Sequence, residues 1–338
     1  MNQQPVSPAA SKVKPQPLTA TSSEGVDAQS KIHNPQSTIL VGTASWTDPT
    51  IVKSGWYPPE VRNAEQRLAH YAAHFPLVEV DSSYYALPSE RNSELWVART
   101  PPDFTFNFKA FALLTGHGAA YSRLPAIIRD SLPAGFAAGK KQIYMKDLPE
   151  EAQRWIWDAF ERALHPLRQA GKLGAILFQF PPWFHISRSS KQSLERCRQH
   201  MPHDRLAVEF RNASWLSDRN AAETLSLLAD HDLTYVCVDE PQGFRSSVPP
   251  VTAVTSPDLA MLRLHGRNAE TWDKPNVSVV ERFKYLYSDA ELQELAPRVA
   301  ELAGEAKQTH VLFNNCYSDF GVRNAARLAD LVGAVQPA

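Results

Sequence analysis

LAVEFR, residues 206–211, sets Leu206, Val208 and Phe210 against Ala207, Glu209 and Arg211. Side chains alternate faces along a strand, so one face of this run is apolar and the other ends in charge. The same parity recurs elsewhere in the chain. In LVEVD (77–81), Val78 and Val80 oppose Glu79 and Asp81; in FTFNFKA (104–110), Phe104, Phe106 and Phe108 alternate with Thr105, Asn107 and Lys109. MLRLHG (261–266) sets Leu262 and Leu264 against Arg263 and His265. An ordinary half-buried strand would turn its polar face to water. Here helical stretches separate the runs, which implies a parallel sheet covered by helices. An open doubly wound sheet would need both faces apolar. A closed TIM-like (β/α)8 barrel explains the pattern better, with the apolar parity under the helices, the polar parity inside and functional groups at the C-terminal mouth.

The first strand is read at TILVGTAS (38–45). The others are LVEVD, FTFNFKA, GAILFQF (174–180), RLAVEF (205–210), LTYVCVD (233–239), AMLRLH (260–265) and THVLFN (309–314). Helical periodicity covers 63–74, 89–99, 150–170, 188–200, 219–231, 289–303 and 322–333. Residues 37–338 therefore form a single barrel domain. Residues 1–36, rich in Ser, Pro, Gln, Ala and Thr and without apolar periodicity, are expected to be a disordered tail. Two connections are irregular, at about 112–148 and 240–258. Both follow a strand's C-terminal end, so they are expected to be lids.

With 338 residues and 43% hydrophobic content, the chain can bury a large core. A formal net charge of −1 provides no global field toward nucleic acid or an anionic membrane. The three cysteines, Cys197, Cys237 and Cys316, are scattered, as expected of reduced thiols in a cytoplasmic protein. No apolar run approaches the roughly 20 residues that a membrane span needs. There is no phosphate loop, dinucleotide glycine fingerprint or nucleophile elbow, so the sequence assigns no cofactor.

Applying the parity rule to each strand gathers Trp46, Glu79, Asp81, Lys109, Gln179, Glu209, Arg211, Asp239, Arg263, His265 and Asn314 at the barrel mouth. Concentrated ionisable groups are what acid–base chemistry requires, and an internal ion-pair plug is the structural alternative. Glu79 and Glu209 are the candidate proton-transfer groups, with His265 as base, ligand or hydrogen-bonded core residue and Asp239 orienting a cation. Lys109, Arg211 and Arg263 suit an anion. Gln179, Asn314 and Asn315 suit substrate hydroxyls or backbone groups. Trp46, Tyr84 and Trp215 would form aromatic walls. A mononuclear metal site from Glu79, Glu209, Asp239 and His265 is chemically conceivable, but these residues lack close ligand spacing and no metal is assigned.

In order along the chain, VGTASW (41–46), GWYPPE (55–60), VEVDSSYYALP (78–88) and FNFKAFALLTGH (106–117) form one set of motifs. They continue with KLGAILFQFPPWF (172–184), LAVEFRNASW (206–215), Asp239-Glu240-Pro241, LRLHGR (262–267) and VLFNNCYSDFGVRNA (311–325). Together they resemble the YecE-like family, a domain of unknown function, over roughly residues 38–335. Asp81 stands where that family often carries Asn, adding a carboxylate. The resemblance implies a TIM-like barrel and supplies no reaction.

The leading expectation is acid–base hydrolysis or isomerisation of a small polar, anionic substrate. A metal-dependent phosphodiesterase acting on nucleic acid is an alternative, disfavoured by the net charge. A non-catalytic metabolite-binding module is another, and a glycosidase a further one.

Overall fold

The computed structural model describes residues 37–337, so the expected tail at 1–36 lies outside the described residues. Eight parallel strands close a barrel in sequence order. They are β1 Thr38–Thr43, β2 Leu77–Val80, β3 Thr105–Lys109, β4 Leu173–Gln179, β5 Leu206–Glu209, β6 Leu233–Asp239, β7 Ala260–Leu264 and β8 Gln308–Phe313. The helices are α1 Pro49–Lys53, α2 Ala64–Ala72, α3 Glu90–Ala98, α4 Ala126–Ser131, α5 Glu150–Gln169, α6 Arg188–His200, α7 Ala221–Asp230, α8 Val279–Arg282, α9 Asp289–Glu305 and α10 Phe320–Val332. Every stretch with helical periodicity forms a helix, with ends within two residues of the reading. The short α1, α4 and α8 carry too few turns to show a period.

Local chemistry sets these boundaries. Asn63 and Gln66 form a capping box at the start of α2, and Ser288 and Glu291 form another at α9. In α5, Ala152, Ile156, Phe160, Ala163 and Leu167 recur every three or four residues and are buried.

The ladder register decides which side chains enter the barrel. Glu79 pairs with Asn107, Lys109 with Leu177, Gln179 with Glu209, and Arg263 with Val238 and Leu312. Paired residues share a face, so Glu79, Lys109, Gln179, Glu209 and Arg263 all point inward. The same register corrects one expectation. Val238 takes the inward place opposite Arg263, which leaves Asp239 on the outward parity shared with Leu264. All seven residues of β6 are buried, so the strand carries no polar–apolar alternation that could have fixed its phase.

Between β3 and β4 the register shifts: Phe106 pairs with Leu173 but Phe108 with Ile176. The extra residue in β4 lies beside Gly174, where the Asn107 amide oxygen accepts the Ala175 N–H at 2.9 Å. A Cβ on Gly174 would sit 2.4 Å from that oxygen and 2.5 Å from the Thr105 methyl. Gly174→Ala is expected to cost about 1–3 kcal/mol, measured by urea unfolding. A variant as stable as the parent would show that this contact is easily relieved.

Candidate functional site

Three inward strands place a buried charge cluster beneath the mouth. The Arg263 guanidinium donates from Nε to Glu79 Oε2 at 3.1 Å and from Nη2 to Glu79 Oε1, forming a two-pronged pair. Its Nη1 donates to Glu209 Oε2. All three side chains are fully buried. The other oxygen of Glu209, Oε1, meets Gln179 Nε2 at 2.7 Å, Arg211 Nε at 2.7 Å and His265 Nε2 at 3.1 Å. Burial opposes ionisation of Glu209, but Arg263, Arg211 and His265 outweigh it and hold the carboxyl well below the usual range. For Glu79 the balance goes the other way: burial pushes it up to about 7 against the pull of Arg263.

His265 is fully buried and burial, with Arg211 nearby, pushes it down to about 3, so it is neutral at physiological pH. Its Nδ1 lies 2.9 Å from Asn314 Nδ2, a donor, which fixes the tautomer: Nδ1 accepts, and Nε2–H donates to Glu209.

Above this cluster opens a cavity of about 550 Å³ whose wall includes Asp81, Tyr84, Lys109, Gln179, Arg211 and Asn314. Lys109 Nζ lies 3.2 Å from Asp81 Oδ1 and 4.9 Å from the centre of the Tyr84 ring. Arg211 Nη1 donates to Glu240 Oε2 at 2.9 Å, and the guanidinium lies 5.2 Å from the Trp272 ring centre. Its Nη2 is 3.3 Å from His265 Nε2, a nitrogen already giving its proton to Glu209. That edge of Arg211 therefore has no acceptor among the described residues.

The structure thus brings Asp81, Tyr84, Lys109, Gln179, Arg211 and Asn314 to one cavity, and places Glu79, Glu209, Arg263 and His265 in a sealed layer beneath it. Four expected residues stand elsewhere. Asp239 is bound by Arg267, with Nη2 at 2.8 Å, and by the Tyr287 hydroxyl at 2.7 Å; it lines a separate groove with Pro250 and Arg298. Trp46 packs edge-on against Trp96 and Phe106 in the outer layer. The strand has ended by then, and Ser45, at φ 131°, has turned the chain out of strand parity. Trp215 stacks on Phe210 and Phe184 and donates to the Phe184 carbonyl at 2.7 Å. Asn315 turns away from Asn314 and donates to the Tyr285 carbonyl and to Asn324. Because Asp239 faces outward and Arg263 occupies Glu79 and Glu209, the four conceivable metal donors do not converge. Among the described residues no group of three or more His, Cys, Asp or Glu does so.

Sequence reasoning missed Glu240, His117, Trp272 and Phe283. The last three line the cavity from loops, where parity gives no signal. Trp272 and Phe283 belong to the segment after β7, which forms more of the wall than the expected lids at 112–148 and 240–258. Those lids contribute His117 and Ser246 to the cavity. Glu240 links the 240–258 segment to Arg211, since its Oε1 accepts the Val248 N–H at 2.8 Å. Burial, offset in part by Arg211, pushes its carboxyl up to about 7.

The profile of a family described as "Protein of unknown function DUF72" matches residues 40–338. UPF0759 protein YunF of Bacillus subtilis (strain 168) is 32% identical over 297 residues, covering 87% of this chain and 94% of that protein. The crystal structure of a DUF72 family protein from Thermotoga maritima MSB8 is similar at a TM-score of 0.68 and 32% identity, over 88% of this chain and 99% of that one. One from Enterococcus faecalis V583 gives a TM-score of 0.71 and 26% identity, over 88% and 96%.

Two outcomes follow from the charges. Arg263→Met leaves two buried carboxylates without their cation and is expected to cost about 3–5 kcal/mol, read by urea unfolding; a loss below that range would mean the carboxylates find other partners. For Glu240, a folded-state pKa above the unfolded value means the folded protein holds the extra proton between about 4.5 and 7, so stability falls as pH rises through that window. Glu240→Gln removes this term. The melting temperature of the variant should therefore gain on the parent from pH 5 to pH 8, and a constant difference would contradict the raised carboxyl.

Proposed function

The chain belongs to the DUF72 family, and from the geometry of its barrel mouth we propose an enzyme that performs acid–base chemistry on a small polar anion. One observation carries this reading: Lys109 and Arg211 both reach the cavity with donor capacity left over. The Lys109 ammonium has Asp81 as its ion-pair partner, and the Nη2 edge of Arg211 has no acceptor among the described residues. Two under-used cations in a half-enclosed site favour a carboxylate or phosphate.

Around this anion site, Gln179 and Asn314 each spend their amide N–H on the layer below, toward Glu209 and His265. Their carbonyl oxygens are left to accept from substrate hydroxyls. Asp81 is the carboxylate beside the anion site and takes the proton from the substrate, while Lys109 stabilises the negative charge that develops. Isomerisation uses this step directly; in hydrolysis the same carboxylate takes the proton from the attacking water instead. Glu79 and Glu209 act through Arg263 and Arg211, as the rigid base on which those cations are aimed. Three unpaired cysteines fit the cytoplasmic location expected from the sequence. Among the described residues, no helix is long and apolar enough to cross a membrane.

Calorimetric titration with small carboxylates and phosphates at constant ionic strength tests the anion site. Arg211→Gln and Lys109→Met are each expected to weaken the best ligand by about tenfold or more, the contribution of a charge-assisted hydrogen bond. Asp81→Asn should abolish turnover of that ligand with little change in its binding. Anion affinity that is indifferent to Arg211 would overturn the reading.

A further inference from the structure

Beside the cavity, Trp183 is 57% exposed, the largest side chain left so open among the described residues. Exposing an indole is unfavourable, and a mobile loop could fold it away. This loop has no such freedom. Phe180 stacks on Phe184 at 4.1 Å, Phe184 on Trp215 at 5.4 Å and Trp215 on Phe210 at 4.4 Å. Trp215 Nε1 and Asn212 Nδ2 then hold the carbonyls of Phe184 and Pro182 at 2.7 and 2.6 Å. A largely buried aromatic column therefore fixes both sides of Trp183 and leaves its ring facing solvent.

The ring is continuous with the anion site. Tyr84, under which Lys109 lies, meets His117 edge-on at 5.2 Å, and His117 meets Trp183 edge-on at 5.8 Å. On the far side, Trp183 borders a groove of about 640 Å³ with Gly116, Tyr144, Met145 and Lys146. His117 is uncharged, because burial and the cations Lys109 and Arg211 push it down to about 4.

We propose that Trp183 is a platform for a sugar ring, so that the substrate of the anion site is an acidic sugar. The inference rests on the anion-site reading and specifies it. The ring that meets Trp183, that of His117, stands edge-on to it, so among the described residues no second parallel ring sandwiches a ligand there. A nucleobase stacked on it would keep one flat apolar face in water. A pyranose has one C–H face for the indole, while its hydroxyl edges reach Lys146, the Tyr144 hydroxyl and the free His117 nitrogen. Preorganisation of the platform means that binding spends little on ordering the loop.

The test compares calorimetric affinities of the full chain for inorganic phosphate, glucose 6-phosphate and glucuronate, in the parent, Trp183→Ala, Trp183→Phe and Arg211→Gln. The parent should bind at least one acidic sugar about tenfold more tightly than phosphate, the effect of one stacked ring. Trp183→Ala should erase that advantage, Trp183→Phe should keep most of it, and phosphate affinity should change less than about twofold in either, as for an independent site. Arg211→Gln should weaken phosphate and sugars together. The sugar phosphate and the uronic acid separate phosphate from carboxylate as the acidic group. An acidic-sugar advantage that survives Trp183→Ala, or phosphate binding with no sugar advantage, overturns the platform and leaves the anion site standing. Phosphate and acidic sugars that all fail to bind, or bind without regard to Arg211, overturn both.

Discussion

Arg263 is the group on which the barrel mouth depends. Its guanidinium lies fully buried at the end of β7 and joins Glu79 of β2 to Glu209 of β5, across the barrel interior. Taking such ions from water costs several kcal/mol each, and only close pairing with well-aimed hydrogen bonds offsets that. The geometry meets this requirement through a two-pronged bond on one side and a single bond on the other. It also leaves one oxygen of Glu209 available, and that oxygen gathers Gln179, Arg211 and His265. Each of these is held by the charge layer. The wall of the cavity above is therefore fixed by the fold itself.

The buried ion-pair plug is present, and an open cavity is stacked above it. Glu79, Glu209, Arg263 and His265 make the plug, while Lys109, Arg211, Asp81 and Tyr84 line the open layer. Arg211 connects the two, since Glu209 and Glu240 hold it and the cavity receives its free edge. Glu240 in turn ties Arg211 to the segment that follows β6, so the chain's least regular crossover is fastened to the site's cation.

Legibility in the sequence followed strand regularity. The phase of β2, β3, β5 and β7 could be read from alternation, because in each a polar or charged residue near the C-terminal end stands between two apolar ones. That reading put Glu79, Lys109, Glu209 and Arg263 on the inner face, where the register places them. In β6 every residue is buried and Thr234, Cys237 and Asp239 show no consistent period, so Asp239 was given the wrong face. Trp46, Trp215 and Asn315 lie beyond strand ends. Once the backbone turns, parity no longer says where a side chain goes.

By itself, the sequence determined the barrel, the apolar and polar faces of its clearest strands, and the set of ionisable residues gathered at the mouth. These follow from alternation and helical period, which are properties of neighbouring residues along one chain. Only the tertiary structure decided which of those residues are sealed and which open, that Asp239 faces the helix layer, and that Trp272, His117 and Phe283 line the cavity from loops. Depth within a barrel and the path of a loop depend on strand register and on contacts between residues far apart in sequence. Glu79 and Arg263, separated by 184 positions, meet only when the barrel closes.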